Sequence, residues 1–202
     1  RFDPATAPRP DLLGGRRSIV LRRSMHGLRE GVAPDVKNTS FDVTAEVTVP
    51  DGGADGVLIA QGGRFSGWSL YVSDGRPVYC HNSGGERTWI RADRAVPTGD
   101  HVVGLALAYD GGGVGKGADV TLTIDGEQYG QGRLESTIGF MFSMDETMDV
   151  GCDRGTPVTE EYPAVPTDNA YQGEVKAVRI DLAERADGPD TEEQRRVVMT
   201  TH

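Results

Sequence analysis

Between positions 64 and 89 the chain carries Arg64, Tyr71, Tyr79, His81, Arg87 and Trp89, residue types suited to holding a ligand. Indole and phenol rings stack on sugars or anchor protein partners, and guanidinium groups offer paired planar donors. A second group, Asp145, Glu146, Asp149 and Asp153, gathers four carboxylates beside turn-forming glycine. Oxygen ligands of that kind suit calcium, although their spacing is not the ordered ladder of an EF-hand loop. The same carboxylates equally suit a solvated loop in which they accept backbone donors. Arg154, next to Asp153, would neutralise part of that charge.

Covalent chemistry finds less support. The four histidines, His26, His81, His101 and His202, form no metal-binding pair and sit in no recognisable arrangement with Ser or Cys. Gly111 to Gly117 superficially resembles a phosphate loop. Asp110 stands where its first glycine belongs, Gly117 replaces the required hydroxyl residue, and a strand rather than a helix follows. No catalytic constellation is visible. A glycan-cleaving enzyme on a sandwich fold would need a carboxylate run such as Glu-x-Asp-x-x-Glu, and none occurs.

The elements that must position the first group are strands. Trp68, Leu70 and Val72 alternate with Ser69, Tyr71 and Ser73, the period of two that a strand imposes. Asp74-Gly75 then supplies a two-residue turn, and Val78 and Cys80 alternate with Tyr79 and His81. Aromatic residues on both faces of this hairpin mean that it is covered on both sides or lines a concave surface. Trp68, in phase with Leu70, is expected in the core. The cleanest alternation runs from Ser40 to Val49, with Phe41, Val43, Ala45, Val47 and Val49 on one face. Further strands are expected at Ser18–Leu21, Gly56–Gln61, Arg87–Ala92, Val102–Asp110, Ala118–Ile124, Glu127–Gly130, Met148–Cys152 and Gly173–Leu182. No sustained 3.6-residue period precedes Gly188. So many short strands separated by turn signals predict an all-β, antiparallel two-sheet jelly-roll sandwich. The chain divides into a Pro-rich connector (1–17), the sandwich domain (18–187) and a polar tail or short C-terminal helix (188–202).

At 202 residues the chain is long enough for one substantial core. Its formal charge of -10 disfavours nucleic acid and anionic membrane as partners. No run of 18 apolar residues exists to span a bilayer. Two cysteines, Cys80 and Cys152, fit either buried thiols or one disulfide. The chain starts without Met and reads as a piece of something longer, so a targeting segment would lie upstream of Arg1.

Several blocks resemble the carboxy-terminal domain of a group of bacterial arylsulfatases. They are Gly62 to Val72 with Asp74-Gly75 and Val78-Tyr79, then Tyr109 to Gly113 with Gly115-Lys116-Gly117. Asp145-Glu146 through Gly151, Asp153 with Gly155 to Val158, and Gly173 through Asp181 continue the series in matching order over roughly residues 35 to 182. Arg1 to Gly15 is similar to the connector after that family's catalytic domain. The resemblance implies a concanavalin A-like jelly roll, in agreement with the strand count. It also implies a parent sulfuric ester hydrolase using formylglycine and a divalent cation in a separate catalytic domain. The formylglycine comes from a Cys-x-Pro/Ala-x-Arg signature, which neither Cys80 nor Cys152 begins. No catalytic residue carries over. The resemblance therefore implies a non-catalytic accessory domain that docks on the sulfatase catalytic domain of the same polypeptide. The alternative is a lectin-like module binding glycan through the aromatic face, with calcium possible at Asp145, Glu146, Asp149 and Asp153. Cysteine at 80 and 152 departs from the apolar residues that the resemblance leads one to expect.

Overall fold

A computed structural model describes residues 15–23 and 25–183. The expected tail or helix at 188–202 lies outside the described residues, as does the connector except for its last three positions.

Among the described residues twelve strands form two six-stranded sheets, and every pairing of neighbouring strands is antiparallel. In chain order they are β1 (Ser18–Leu21), β2 (Leu28–Arg29), β3 (Phe41–Val49), β4 (Gly56–Gly62), β5 (Gly67–Ser73) and β6 (Arg76–Ser83). There follow β7 (Glu86–Arg91), β8 (Gly99–Tyr109), β9 (Ala118–Ile124), β10 (Glu127–Leu134), β11 (Thr147–Val150) and β12 (Glu174–Leu182). A short helix, α1 (Pro166–Asn169), precedes β12. The first sheet has the order β1-β12-β3-β8-β9-β10 and the second β2-β11-β4-β5-β6-β7. This is the jelly-roll sandwich that the strand pattern predicts. The two-residue β2 and the helix α1 are too short to leave a periodic signal.

The period-two pattern explains which side chains meet. From β3, Phe41, Val43, Ala45, Val47 and Val49 are all buried, while Asp42 and Glu46 are exposed. Across the sandwich they face Leu58, Ile59, Trp68, Leu70, Tyr79 and Met148 in one continuous core. Trp68 is buried there as expected, its ring centroid 5.8 Å from that of Phe41. A register shift between Val57 and Ile59 places one extra residue in β4, so Leu58 and Ile59 both join the main core while Val57 packs on the other face of the sheet. The hairpin tip is built as its sequence predicts. Asp74 (φ 51) and Gly75 (φ 72) both take positive φ.

The second sheet is apolar on both faces in its middle. Every residue of β5 from Gly67 to Val72 is buried, as is every residue of β6 from Pro77 to Asn82. The outer face is covered by the irregular segment 151–172, whose Val158 and Tyr162 cluster with Val57, Ala60, Tyr71, Val78 and Cys80. Of the two readings of the double-sided hairpin, coverage on both faces is the one observed.

The covering segment lies against the sheet where Gly56 removes a side chain. Val57 and Ala170 form an isolated parallel bridge, and a Cβ built on Gly56 would stand 2.5 Å from the Ala170 carbonyl oxygen. Gly56 also holds φ +115, which side chains rarely adopt. Gly56→Ala is expected to lower stability by about 2 kcal/mol or more. Urea unfolding of the two proteins measures this, and an unchanged midpoint would mean that the segment is not held against β4.

Candidate functional site

The covering segment is tied down by side chains that point out of the second sheet. Asn82 Nδ2 donates to the carbonyls of Gly63 (2.9 Å), Arg64 (2.8 Å) and Val158 (3.2 Å). Inside the segment, buried Asp153 accepts the Val158 N–H (3.0 Å) and the Tyr162 hydroxyl (2.7 Å) through Oδ2. Asn169 bridges back to both the N–H and the carbonyl of Asp153, each at 2.9 Å. A loop laid on an apolar face must satisfy its backbone in this way, because an unpaired buried donor or acceptor costs about 1–3 kcal/mol.

On edge strand β7 the pleat puts Arg87, Trp89 and Arg91 in a row facing outward, with Ile90 buried on the inner side. Arg87 donates through Nε to Val158 O (2.8 Å), through Nη1 to Gly85 O (3.0 Å) and through Nη2 to Arg64 O (3.1 Å). The same Nη2 lies 3.1 Å from Glu160 Oε1. Arg91 makes a two-pronged ion pair with Glu161, whose carboxylate also accepts the Tyr71 hydroxyl. Burial, and then the Glu161 carboxylate beside it, push the Tyr71 phenol upward, and the Arg91 guanidinium holds Glu161 below the usual carboxylate range. Between the two ion pairs, Trp89 is 39% exposed and its indole N–H donates to Thr159 Oγ1 at 3.2 Å. Thr159 is fully buried, so the ring is fixed from behind while remaining open in front.

The six residues singled out in the sequence therefore fall in three places. Tyr71, Arg87 and Trp89 lie on the outer face of the second sheet, Tyr71 beneath the covering segment and packed edge-on against Tyr162 with ring centroids 5.1 Å apart. Arg64 is exposed on the β4–β5 loop, next to exposed Phe65. Tyr79 and His81 point into the sandwich, because one residue separates each of them from the outward series. There the Tyr79 hydroxyl sits 3.2 Å from His81 Nδ1, and burial pushes the imidazole down to about 4, which keeps it neutral. With Phe41, Trp68, Tyr109 and Phe142 they line a small pocket at one end of the sandwich. Arg91, Thr159, Glu160 and Glu161 were not singled out. Arg91 was reachable, being in phase with Arg87 and Trp89. The other three lie in a segment without periodicity.

Three of the four acidic residues take hydrogen-bond donors of their own. Asp149 takes the Gly27 N–H (2.7 Å) and the Thr147 hydroxyl (2.9 Å), Glu146 takes the Thr156 hydroxyl (2.7 Å), Asp153 is used as above, and Asp145 is exposed. Among the described residues no three His, Cys, Asp or Glu side chains are placed to hold a metal ion. Both cysteines are buried free thiols. Cys80 lies under the covering segment, and burial pushes its thiol up to about 12.

Neither a protein-family model nor a curated protein matches the sequence. Among solved structures, the chain is similar to the CBM40 of Ruminococcus gnavus IT-sialidase bound to α2,3-sialyllactose. That pair shares 14% identity with a TM-score of 0.54, over 90% of this chain and 96% of that one. The same CBM40 bound to α2,6-sialyllactose gives 15% identity and a TM-score of 0.52, over 88% and 95% of the two chains. Domains LG4-5 of the mouse laminin alpha1 chain give 17% identity and a TM-score of 0.45, this chain covering 84% of itself and 40% of that structure. At these identities the CBM40 likeness establishes the jelly-roll sandwich. Nothing in the comparisons links the chain to sulfatases.

Asp153 makes the covering segment sensitive to pH. Burial pushes its carboxyl up to about 6, against the partial opposition of the Tyr162 and Val158 hydrogen bonds. A group raised in the folded state contributes stability that is fully present below its unfolded value of about 4 and is lost as pH rises through about 6. Asp153→Asn, which keeps an acceptor oxygen, is expected to remove this slope. In urea unfolding at pH 4 and pH 7.5, wild type should lose up to about 3 kcal/mol more than the variant between the two conditions. Parallel profiles would show that Asp153 does not titrate in this window.

Proposed function

We propose that this chain is a lectin-like, non-catalytic module that binds glycan on the outer face of its second sheet, with Trp89 as the stacking surface. The observation that carries the reading is the indole of Trp89, open to solvent in front, anchored through Thr159 behind, and flanked by the Arg87–Glu160 and Arg91–Glu161 pairs. A hexose presents an apolar C–H face suited to an aromatic ring, and hydroxyls at its rim that pair with planar charged groups. A ring already held in place loses little freedom on binding. Support also comes from the sandwich shared with the CBM40 that was solved with sialyllactose bound. Screening on a glycan array, followed by calorimetry on the positives, tests the reading. Trp89→Ala is expected to weaken binding by about 30-fold, the loss of roughly 2 kcal/mol typical of a central aromatic anchor, with the folded sandwich retained by circular dichroism. Binding unchanged in that variant, or no glycan bound by wild type, would overturn it.

A second reading is favoured by a different observation. Phe65 (79% exposed) and Met144 (76%) stand out on two loops that meet at one end of the sandwich, with Phe140 and Met141 on the second loop also exposed. Phe142, on the second loop, lies against Gly62 at the end of β4, and its N–H donates to Glu30 Oε2, just after β2, at 2.8 Å. Exposed apolar groups of this kind suit docking on another domain. The sulfatase catalytic domain implied by the sequence resemblance is the partner this reading proposes. It expects the isolated chain to bind a hydrophobic dye, and Phe65→Ser with Met144→Ser to abolish that binding at unchanged melting temperature. A chain that binds no dye would argue against a docking rim.

A further inference from the structure

We infer that the Trp89 face selects neutral glycans over acidic ones, with Glu160 and Glu161 as the specificity-determining residues. The inference rests on the glycan-binding reading above and concerns which sugars that site accepts.

Arg87 and Arg91 on the face are both already bonded to carboxylates. Recognition of a sugar carboxylate or sulfate needs a guanidinium able to turn its paired donors to the ligand. Arg91 presents both terminal nitrogens to the two oxygens of Glu161. Glu161 cannot swing away cheaply, because it also accepts the hydroxyl of buried Tyr71. Moving it would leave that hydroxyl without its acceptor beneath the covering segment. Arg87 spends its donors on the carbonyls of Val158, Gly85 and Arg64 and on the Glu160 carboxylate. Its side chain is only 10% exposed, while that of Glu160 is 64% exposed. In the second pair Arg91 is more exposed than Glu161, so a ligand approaching Trp89 from solvent meets the Glu160 carboxylate on one side and the Arg91–Glu161 pair on the other. The two arginines are matched by two glutamates, on a chain whose formal net charge is -10.

To take the paired terminal donors of Arg91 or Arg87, an acidic sugar would have to break an existing ion pair, and it would approach a negative protein. A neutral hexose meets no such cost. Its ring lies on the indole, its hydroxyls donate to Glu160 and Glu161, and its oxygens accept from the outward edge of Arg91, whose side chain is 47% exposed. Carboxylates beside a stacking ring suit adjacent hydroxyl donors, which neutral sugars supply in number.

The test uses matched probes on the whole chain: array glycans with a neutral terminal hexose, and the same glycans carrying a terminal sialic acid or sulfate. Each is titrated by calorimetry against wild type, Glu160→Gln, the Glu160→Gln/Glu161→Gln pair and Trp89→Ala. Wild type is expected to bind neutral members at least ten times more tightly than their acidic counterparts. The double variant should narrow or reverse that ratio by at least tenfold. Glu160→Gln alone, which leaves the Tyr71–Glu161–Arg91 linkage intact, should narrow it in part, so the inference does not depend on the covering segment tolerating the Glu161 change. If wild type binds acidic members as tightly as neutral ones and Trp89→Ala loses both, the glycan-binding reading stands and this inference falls. An unchanged ratio in both Gln variants also overturns it. If wild type binds no member of the set, the reading and the inference fall together.

Discussion

Strands β4, β5 and β6 carry apolar side chains on both faces, so the sandwich core can bury only half of what they present. Val57, Ala60, Tyr71, Val78 and Cys80 would face water if nothing lay over them. Removing that surface from solvent is favourable by about 25 cal/mol per Å², but among the described residues the cover is largely irregular chain, which brings unpaired backbone groups with it. The molecule depends on meeting both demands at once. Segment 151–172 supplies Val158 and Tyr162 for the apolar contact, while Asn82, Asp153, Asn169 and Arg87 take up its N–H and carbonyl groups.

This arrangement also explains why the candidate site lies where it does. Of the polar side chains that fasten the segment, Arg87 stands on β7, and Trp89 lies beside it on the same strand and bonds the segment through Thr159. Its support by Thr159 and its two flanking ion pairs are parts of the fastening. Binding geometry and stability are thus served by the same contacts. The cost is one titratable weakness, the buried carboxyl of Asp153, which is uncomfortable as an anion at neutral pH.

What could be read from the sequence follows from which interactions are local. The alternation of β3, the Asp74-Gly75 turn and the inward direction of Trp68 depend on neighbours two residues apart, and each was legible. The double-sided hairpin left two readings of the outer face of β5 open, coverage or a concave surface, and did not say what would provide the cover. Grouping Tyr79 and His81 with Trp89 failed on the parity of the pleat, since Cys80, not its neighbours, pairs with Trp89 across the ladder. The fastening residues were hidden for a different reason. Asp153 and Asn169 meet across 16 positions, and Trp89 and Thr159 across 70, within a stretch interrupted by Pro157, Pro163 and Pro166 that has no period to follow. The acidic run looked like a ligand set because proximity in sequence does not reveal that Asp149, Glu146 and Asp153 are each satisfied by a different part of the chain.

Cys80 gives the covered face a use in measurement. Its sulfur lies between the second sheet and the segment above it and is buried as a high-pKa thiol. A thiol in that position reacts with an alkylating reagent only when the layer above it lifts. The time course of modification at this atom is then a clock for separation of the segment from the sheet, set against the slower clock of global unfolding. Comparing the two rates tells whether the layer opens on its own or only with the whole sandwich.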